Sequence, residues 1–133
     1  TMTINKENYV DVAEEVILNL KKNNNKYILT TSQIRNILSM VNEIYNEAIH
    51  LQGDTLNDEL KTKIQYLRMR MAYEAGRDPG GKNTNGVYEF IFEKGKLIDN
   101  IKTIGNSKEN LILFCHYVEA LVAYHKFYGG KEN

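Results

Sequence analysis

The sequence predicts an all-α protein, a compact bundle of about five helices. Two observations carry that prediction. Apolar residues recur at three- and four-residue spacing through five successive segments, the repeat of a helix face. Between them lie short runs rich in Asn, Gly, Asp and Ser, and nothing alternates strand with helix as an α/β domain would. Five helices joined by short loops pack as a bundle. A length of 133 residues suits one domain spanning 1–133. A hydrophobic content of 42% is enough for its core.

The first helix is expected from Asn5 to Lys21, with Tyr9, Ala13, Val16, Ile17 and Leu20 as its stripe. Its acids come early, and Lys21 and Lys22 come late, which suits the helix dipole. The Asn run from Asn23 ends it. Tyr27-Ile28-Leu29 is too short to define an element; it could form a strand, but reads rather as an extended linker. Thr30-Thr31-Ser32-Gln33 has the form of a capping box, in which the Thr30 hydroxyl and the Gln33 amide each satisfy the other's backbone N–H. The second helix then runs to about Leu51, with Ile34, Ile37, Leu38, Val41, Ile44, Tyr45 and Ala48 toward the core. Gln52-Gly53-Asp54 turns the chain, and Thr55 is the expected cap of the third helix.

That helix, Thr55 to Asp78, joins a long helical pattern to a concentration of cations. Leu56, Leu60, Ile64, Leu67, Met71 and Ala75 form its main stripe. Tyr66, Met69 and Tyr73 form a narrower strip roughly opposite, so the helix is expected to be wedged between neighbours. Lys61 and Arg68 flank one edge of the main stripe, and Lys63, Arg70 and Arg77 follow the seam on its other side. A buried ion pair at Arg77 would mark that residue as scaffold.

The run GRDPGGKNTNG, Gly76 to Gly86, holds the only Pro and four of the nine Gly, so it ends the helix in a loop. A fourth helix is expected from Val87 to Ile104, weakened by Gly95. Gly105-Asn106 stops it, and Ser107 is the next N-cap. The last helix, Asn110 to Tyr128, packs Leu111, Phe114, Val118, Leu121 and Val122. Leu113, Ala120 and Phe127 lie almost opposite, so one side of this helix is central or covered by another chain. Gly129-Gly130 ends it.

The bulk numbers exclude several classes. Lys and Arg number 17, as do Asp and Glu. A free-standing nucleic-acid binder usually carries a basic excess, whereas a local basic face balanced by acids elsewhere is compatible with neutrality. A single cysteine, Cys115, precludes an internal disulfide and suits a reducing cytoplasm. No apolar run is long enough to span a membrane. The start, TMTINKEN, lacks the apolar segment of a secretory signal, and Thr1 ahead of Met2 reads as a residue added for expression. A cytoplasmic location is the expectation.

Enzymatic motifs fail on context. GRDPGGKN, Gly76 to Asn83, matches a phosphate-binding loop except that Asn83 replaces the Ser or Thr that holds magnesium. It also ends a helix where such a loop opens one. His50, His116 and His125 form no metal motif, and His116 with Glu119 supplies only half of a carboxylate-bridged site. Cys115 and His116 diverge by about 100° around a helix and make no nucleophile–base pair. His125 falls among stripe positions and reads as a core histidine. The second helix could be a recognition helix, but the connection from Lys21 to Thr30 exceeds the tight turn of a helix-turn-helix. Tyr73, Tyr124 and Tyr128 are candidates for stacking on bases. No catalytic residue, metal ligand or cofactor is assigned, and the chain is expected not to be an enzyme.

Three segments carry a resemblance: TTSQIRNILS (Thr30 to Ser39), YLRMRMAYEAGRD (Tyr66 to Asp78) and YVEALVAYHKFYGG (Tyr117 to Gly130). In this order and spacing they resemble the small subunit of the type III-A CRISPR effector complex, the Csm small subunit. The resemblance implies a non-catalytic helical bundle whose copies line the inner side of that complex. It implies as partners the CRISPR guide RNA and target RNA, the backbone and large subunits, and neighbouring copies of the chain. By motif position it assigns RNA contact to Arg35, Arg68, Arg77 and Lys126; Lys63 and Arg70 join them on the geometry of the seam. It is weakest over PGGKNTNG and VYEFIFEKGKL, and Lys82 receives no role. The alternative is a homo-oligomeric helical protein-interaction adaptor that binds no nucleic acid.

Overall fold

The apolar stripes of the sequence become the buried faces of helices. The computed structural model of the chain describes residues 4–23, 25–77 and 86–129. The elements are α1 (Tyr9–Leu18), the strands β1 (Lys22–Asn23) and β2 (Lys26–Tyr27), α2 (Thr31–Ala48) and α3 (Asp58–Gly76). They continue with a short α4 (Gly86–Tyr88) running into a π-helical turn (Glu89–Glu93), α5 (Leu97–Lys102) and α6 (Lys108–Phe127). The fold is helical, as expected. No described helix is long and apolar enough to cross a membrane.

Helix ends follow local chemistry. α1 begins at Tyr9 rather than Asn5, because the Asn5 carboxamide accepts hydrogen bonds from the Glu7 and Asn8 N–H groups, each at 2.8 Å, and holds a turn there. It ends at Leu18, where the Asn19 side chain donates back to the Glu15 carbonyl at 2.9 Å. The expected linker at Tyr27 is one strand of a two-residue antiparallel hairpin pairing Lys22 with Tyr27. At α2 the capping box forms as read. Gln33 N–H donates to Thr30 Oγ1 at 3.3 Å, and Thr30 N–H donates to Gln33 Oε1 at 2.9 Å.

Two expectations give way to long-range contacts. The cap of α3 is Asn57, whose Oδ1 accepts from Leu60 N–H at 2.9 Å. Thr55 instead pairs with Ser107 in an isolated antiparallel bridge. Ser107 caps α6 as expected, its hydroxyl accepting from Asn110 N–H at 3.0 Å. The expected fourth helix is broken in two. A Cβ on Gly95 would lie 2.1 Å from the Phe90 carbonyl oxygen, so only glycine lets the backbone pass this close. Lys96 then turns left-handed at φ 52°, and α5 begins at Leu97. The buried Tyr117 hydroxyl donates to the Gly95 carbonyl at 2.8 Å, satisfying the break from α6.

The buried apolar residues form one cluster. α2 packs against both α3 and α6, and α1 also packs on α6. All six residues of the main α3 stripe are buried, from Leu56 to Ala75. The wedge expectation is corrected: Tyr66, Met69 and Tyr73 remain 58%, 57% and 55% exposed. One side of α3 faces the core and the other faces solvent. Asp78, most of the GRDPGGKN motif including Lys82, and Gly130 lie outside the described residues.

Candidate nucleic-acid interface

α3 and α6 both run opposite to α2, so their C-terminal halves lie beside its N-terminal half. A groove between α2 and α3 is lined by Asn36, Ser39 and Met40 on one wall and by Arg70, Tyr73, Glu74 and Arg77 on the other. A second groove, between α2 and α6, places Arg35 opposite Lys126, with Ile34, Leu38 and Val122 among its lining residues. The exposed residues of α2 between the two grooves include Ser32, Arg35, Asn36 and Ser39. Four of the six sequence-assigned cations, Arg35, Arg70, Arg77 and Lys126, therefore share one three-helix face at one end of the bundle.

The arginines on α3 are built in, because helical spacing brings Arg70 and Arg77 to the same carboxylate. Glu74 is 7% exposed. Its Oε2 accepts from Arg70 Nη2 at 3.2 Å, four residues away, and its Oε1 accepts from Arg77 Nε at 2.9 Å, three residues away. Both guanidinium carbons also lie near the Tyr73 ring, at 4.9 Å for Arg70 and 6.0 Å for Arg77. The hydrogen bond to Glu74 pushes Arg77 above the ordinary arginine value, reinforcing its charge. Arg77 thus has a buried anchor while its own side chain stays 56% exposed. The ion pair that would mark Arg77 as scaffold is buried on the Glu74 side only, and the arginine itself stays open to solvent. Guanidinium groups fixed at one edge retain planar donors suited to phosphate.

The remaining two cations lie elsewhere. Arg68 is on the opposite side of α3, in a groove shared with Lys61, Gln65 and, from α5, Lys102. Lys63 spans the α2–α3 seam and donates to Glu47 Oε1 at 2.5 Å, with Glu59 at 3.9 Å. That hydrogen bond to Glu47 is the main reason its pKa is raised. Among the tyrosines, Tyr128 donates to Glu14 at 2.5 Å and stacks on Tyr124, which turns that pair toward α1. Tyr73 is the one of the three stacking candidates that borders the basic face.

The other titratable groups have packing roles. His116 lies against the Tyr9 and Tyr45 rings, with centroids 6.2 and 5.5 Å away. His125 is 1% exposed, and its Nε2–H donates to the Leu29 carbonyl at 2.8 Å, as a core histidine should. Burial lowers its pKa, and the bond to Leu29 partly offsets this. Burial pushes the Cys115 thiol up to about 12, with the Glu119 charge adding to the effect. Among the described residues no three of His, Cys, Asp and Glu are grouped to hold a metal ion.

Sequence reasoning missed Glu74 and Lys102. Glu74 had a signal, its spacing of four from Arg70 and three from Arg77. Lys102 had none, since its position depends on the break at Gly95.

Comparison with known proteins gives consistent matches. The profile of the Csm2 type III-A family matches residues 4–131. The chain is 42% identical over 127 residues to the "CRISPR system Cms protein Csm2" of Streptococcus thermophilus, covering 95% of each chain. It is 38% identical over 132 residues to the protein of that name from Mycobacterium tuberculosis (strain CDC 1551 / Oshkosh), covering 99% of this chain and 100% of the relative. A third, from Enterococcus italicus, is 37% identical over 102 residues, covering 75% of this chain and 68% of that one.

Proposed function

The chain belongs to the Csm2 family of type III-A CRISPR small subunits, and from that premise we propose that it holds the guide–target RNA by its backbone and stabilises the interference complex, without catalysing a reaction. The single observation that carries this reading is the convergence of Arg35, Arg70, Arg77 and Lys126 on the exposed three-helix face. Phosphate contacts need cations on a rigid frame and read no sequence. Sequence is left to base pairing between the RNA strands, the same division of labour as in other RNA-guided effectors. Arg68, with Lys61 and Lys102, forms a second and separate basic groove for the same RNA or for a neighbouring subunit. The proposed partners are the guide and target RNA, the backbone and large subunits, and further copies of the chain, in the cytoplasm.

The test is a salt titration of target-RNA binding by the assembled complex. Replacing Arg35, Arg70, Arg77 and Lys126 together by alanine should flatten the plot of log affinity against log salt by about 3, at roughly 0.7–0.9 for each phosphate no longer neutralised. An unchanged slope would refute RNA contact by this face. The exposed strip of Tyr66, Met69 and Tyr73 favours a second reading, a homo-oligomeric adaptor without nucleic acid. That reading predicts a salt slope indifferent to the four cations and a self-association abolished when the strip is made polar.

A further inference from the structure

We infer that Glu74 is a positioning residue for phosphate: it presets Arg70 and Arg77 as one fork on the RNA-binding face. The inference rests on the RNA reading above and adds the role of an acid within it. Three features of the site converge on it. Glu74 is nearly inaccessible, so its carboxylate is not open to solvent or to an ion arriving from it. Each of its oxygens takes one arginine, Arg70 through Nη2 and Arg77 through Nε. The Tyr73 ring lies near both guanidinium carbons and limits their swing. Long cationic side chains lose rotamer freedom when they bind, and side chains already held lose less. Nε and one Nη engage the carboxylate, which leaves further N–H groups of each planar guanidinium to bind an incoming phosphate.

Charge and position predict opposite signs. If charge alone mattered, Glu74→Gln would remove an anion beside two cations and tighten RNA binding. If position matters, the glutamine, with one acceptor oxygen instead of two, releases one arginine and weakens binding by about fivefold, the scale of ordering one long side chain on binding. The number of cations is unchanged, so the salt slope stays as in the wild type. Arg77→Lys is the second variant, exposed and charge-conserving. A lysine cannot grip Glu74 through an Nε–H and present a planar edge as well, so it too should bind several-fold more weakly at unchanged slope.

Both variants are measured in the assembled complex with target RNA, beside thermal melts of the full chain. Weaker binding at wild-type slope in both supports the proposal. Wild-type or tighter binding by folded Glu74→Gln overturns it, as does wild-type binding by Arg77→Lys. If Glu74→Gln melts below the assay temperature, Arg77→Lys decides by the same criterion. The four-alanine variant distinguishes the binding face from the fork within it. If its slope is unchanged, the RNA face is wrong. If its slope flattens while Glu74→Gln tightens binding, the face stands and the positioning role falls.

Discussion

Tyr117→Phe tests the contact that fixes the break between the π-helical turn and α5. The ring is 1% exposed, and its hydroxyl donates to the Gly95 carbonyl at 2.8 Å. Phenylalanine keeps the packing of the ring and removes only the donor. The carbonyl then stands in a buried bend without this partner, a loss of about 2 kcal/mol, between a net hydrogen bond and a full desolvation penalty. With an unfolding entropy of about 2.1 cal/mol/K per residue over 133 residues, that is a Tm lower by about 7 °C. The assay is thermal unfolding by circular dichroism at neutral pH. Tyr128→Phe is the control, because its partner Glu14 is at the surface side of α1, and it should shift Tm by less than half as much. High pH supplies a second readout. Burial raises the Tyr117 pKa above the usual tyrosine value, so its contribution is complete below about pH 10 and is lost as pH rises toward the folded value. The gap between wild type and Tyr117→Phe should therefore narrow above that pH. A Tm within about 1 °C of wild type at neutral pH would show that the carbonyl is satisfied without the hydroxyl, and the account of the break would fail.

Two further predictions concern the buried histidine and cysteine. The lowered pKa of His125 means that the folded state holds its neutral form, so this contribution is present above pH 6.5 and is lost as pH falls toward the folded value. Wild-type Tm should fall between pH 7 and pH 5 more steeply than that of His125→Gln, whose amide can still donate to Leu29; parallel curves would refute the assignment. Cys115, with its thiol pushed up to about 12, should resist a thiol reagent at pH 8 and react fully after unfolding. Rapid labelling of the folded chain would contradict its burial.

What the sequence made legible was local. The five stripe residues that fall within α3, Leu60 to Ala75, are buried, and the capping box at Thr30 and the cap at Ser107 form as written. Each depends only on residues within a turn or on helical spacing. What was not legible depends on distant partners. Gly95 looked like a weak point in one helix, but it is the point where the backbone passes the Phe90 carbonyl and splits that helix. Thr55 has the side chain of a cap, but the chain around it is held in a bridge opposite Ser107, with Leu56 N–H donating to the Asn106 carbonyl and Lys108 N–H to the Asp54 carbonyl, and Asn57 caps instead. At the candidate site the cations were visible one by one. Their grouping was hidden, because Arg35 and Lys126 meet Arg70 and Arg77 only through the antiparallel packing of α3 and α6 on either side of α2.

Equal totals of acid and base do not decide whether this chain contacts RNA, because the local balance differs from site to site. At Lys63 one cation lies within the influence of Glu47, Glu59 and Glu43. Its charge is already matched across the α2–α3 seam, and an incoming phosphate would have to displace a formed ion pair. At the other end of the same seam the proportion reverses, with Arg70 and Arg77 sharing, among the described residues, the carboxylate of Glu74. One acid cannot neutralise two cations, so among the described residues the pair keeps a positive surplus even while both members are anchored. Arg35 and Lys126 line the neighbouring groove. A phosphate arriving there gains attraction without having to break the bonds that hold the arginines. A chain neutral in total can thus carry different local ratios of acid to base at the two ends of one seam, which is what the proposed RNA contact requires. The sixfold set of cations assigned from sequence then divides into one face of four, one seam staple at Lys63 and one separate groove at Arg68.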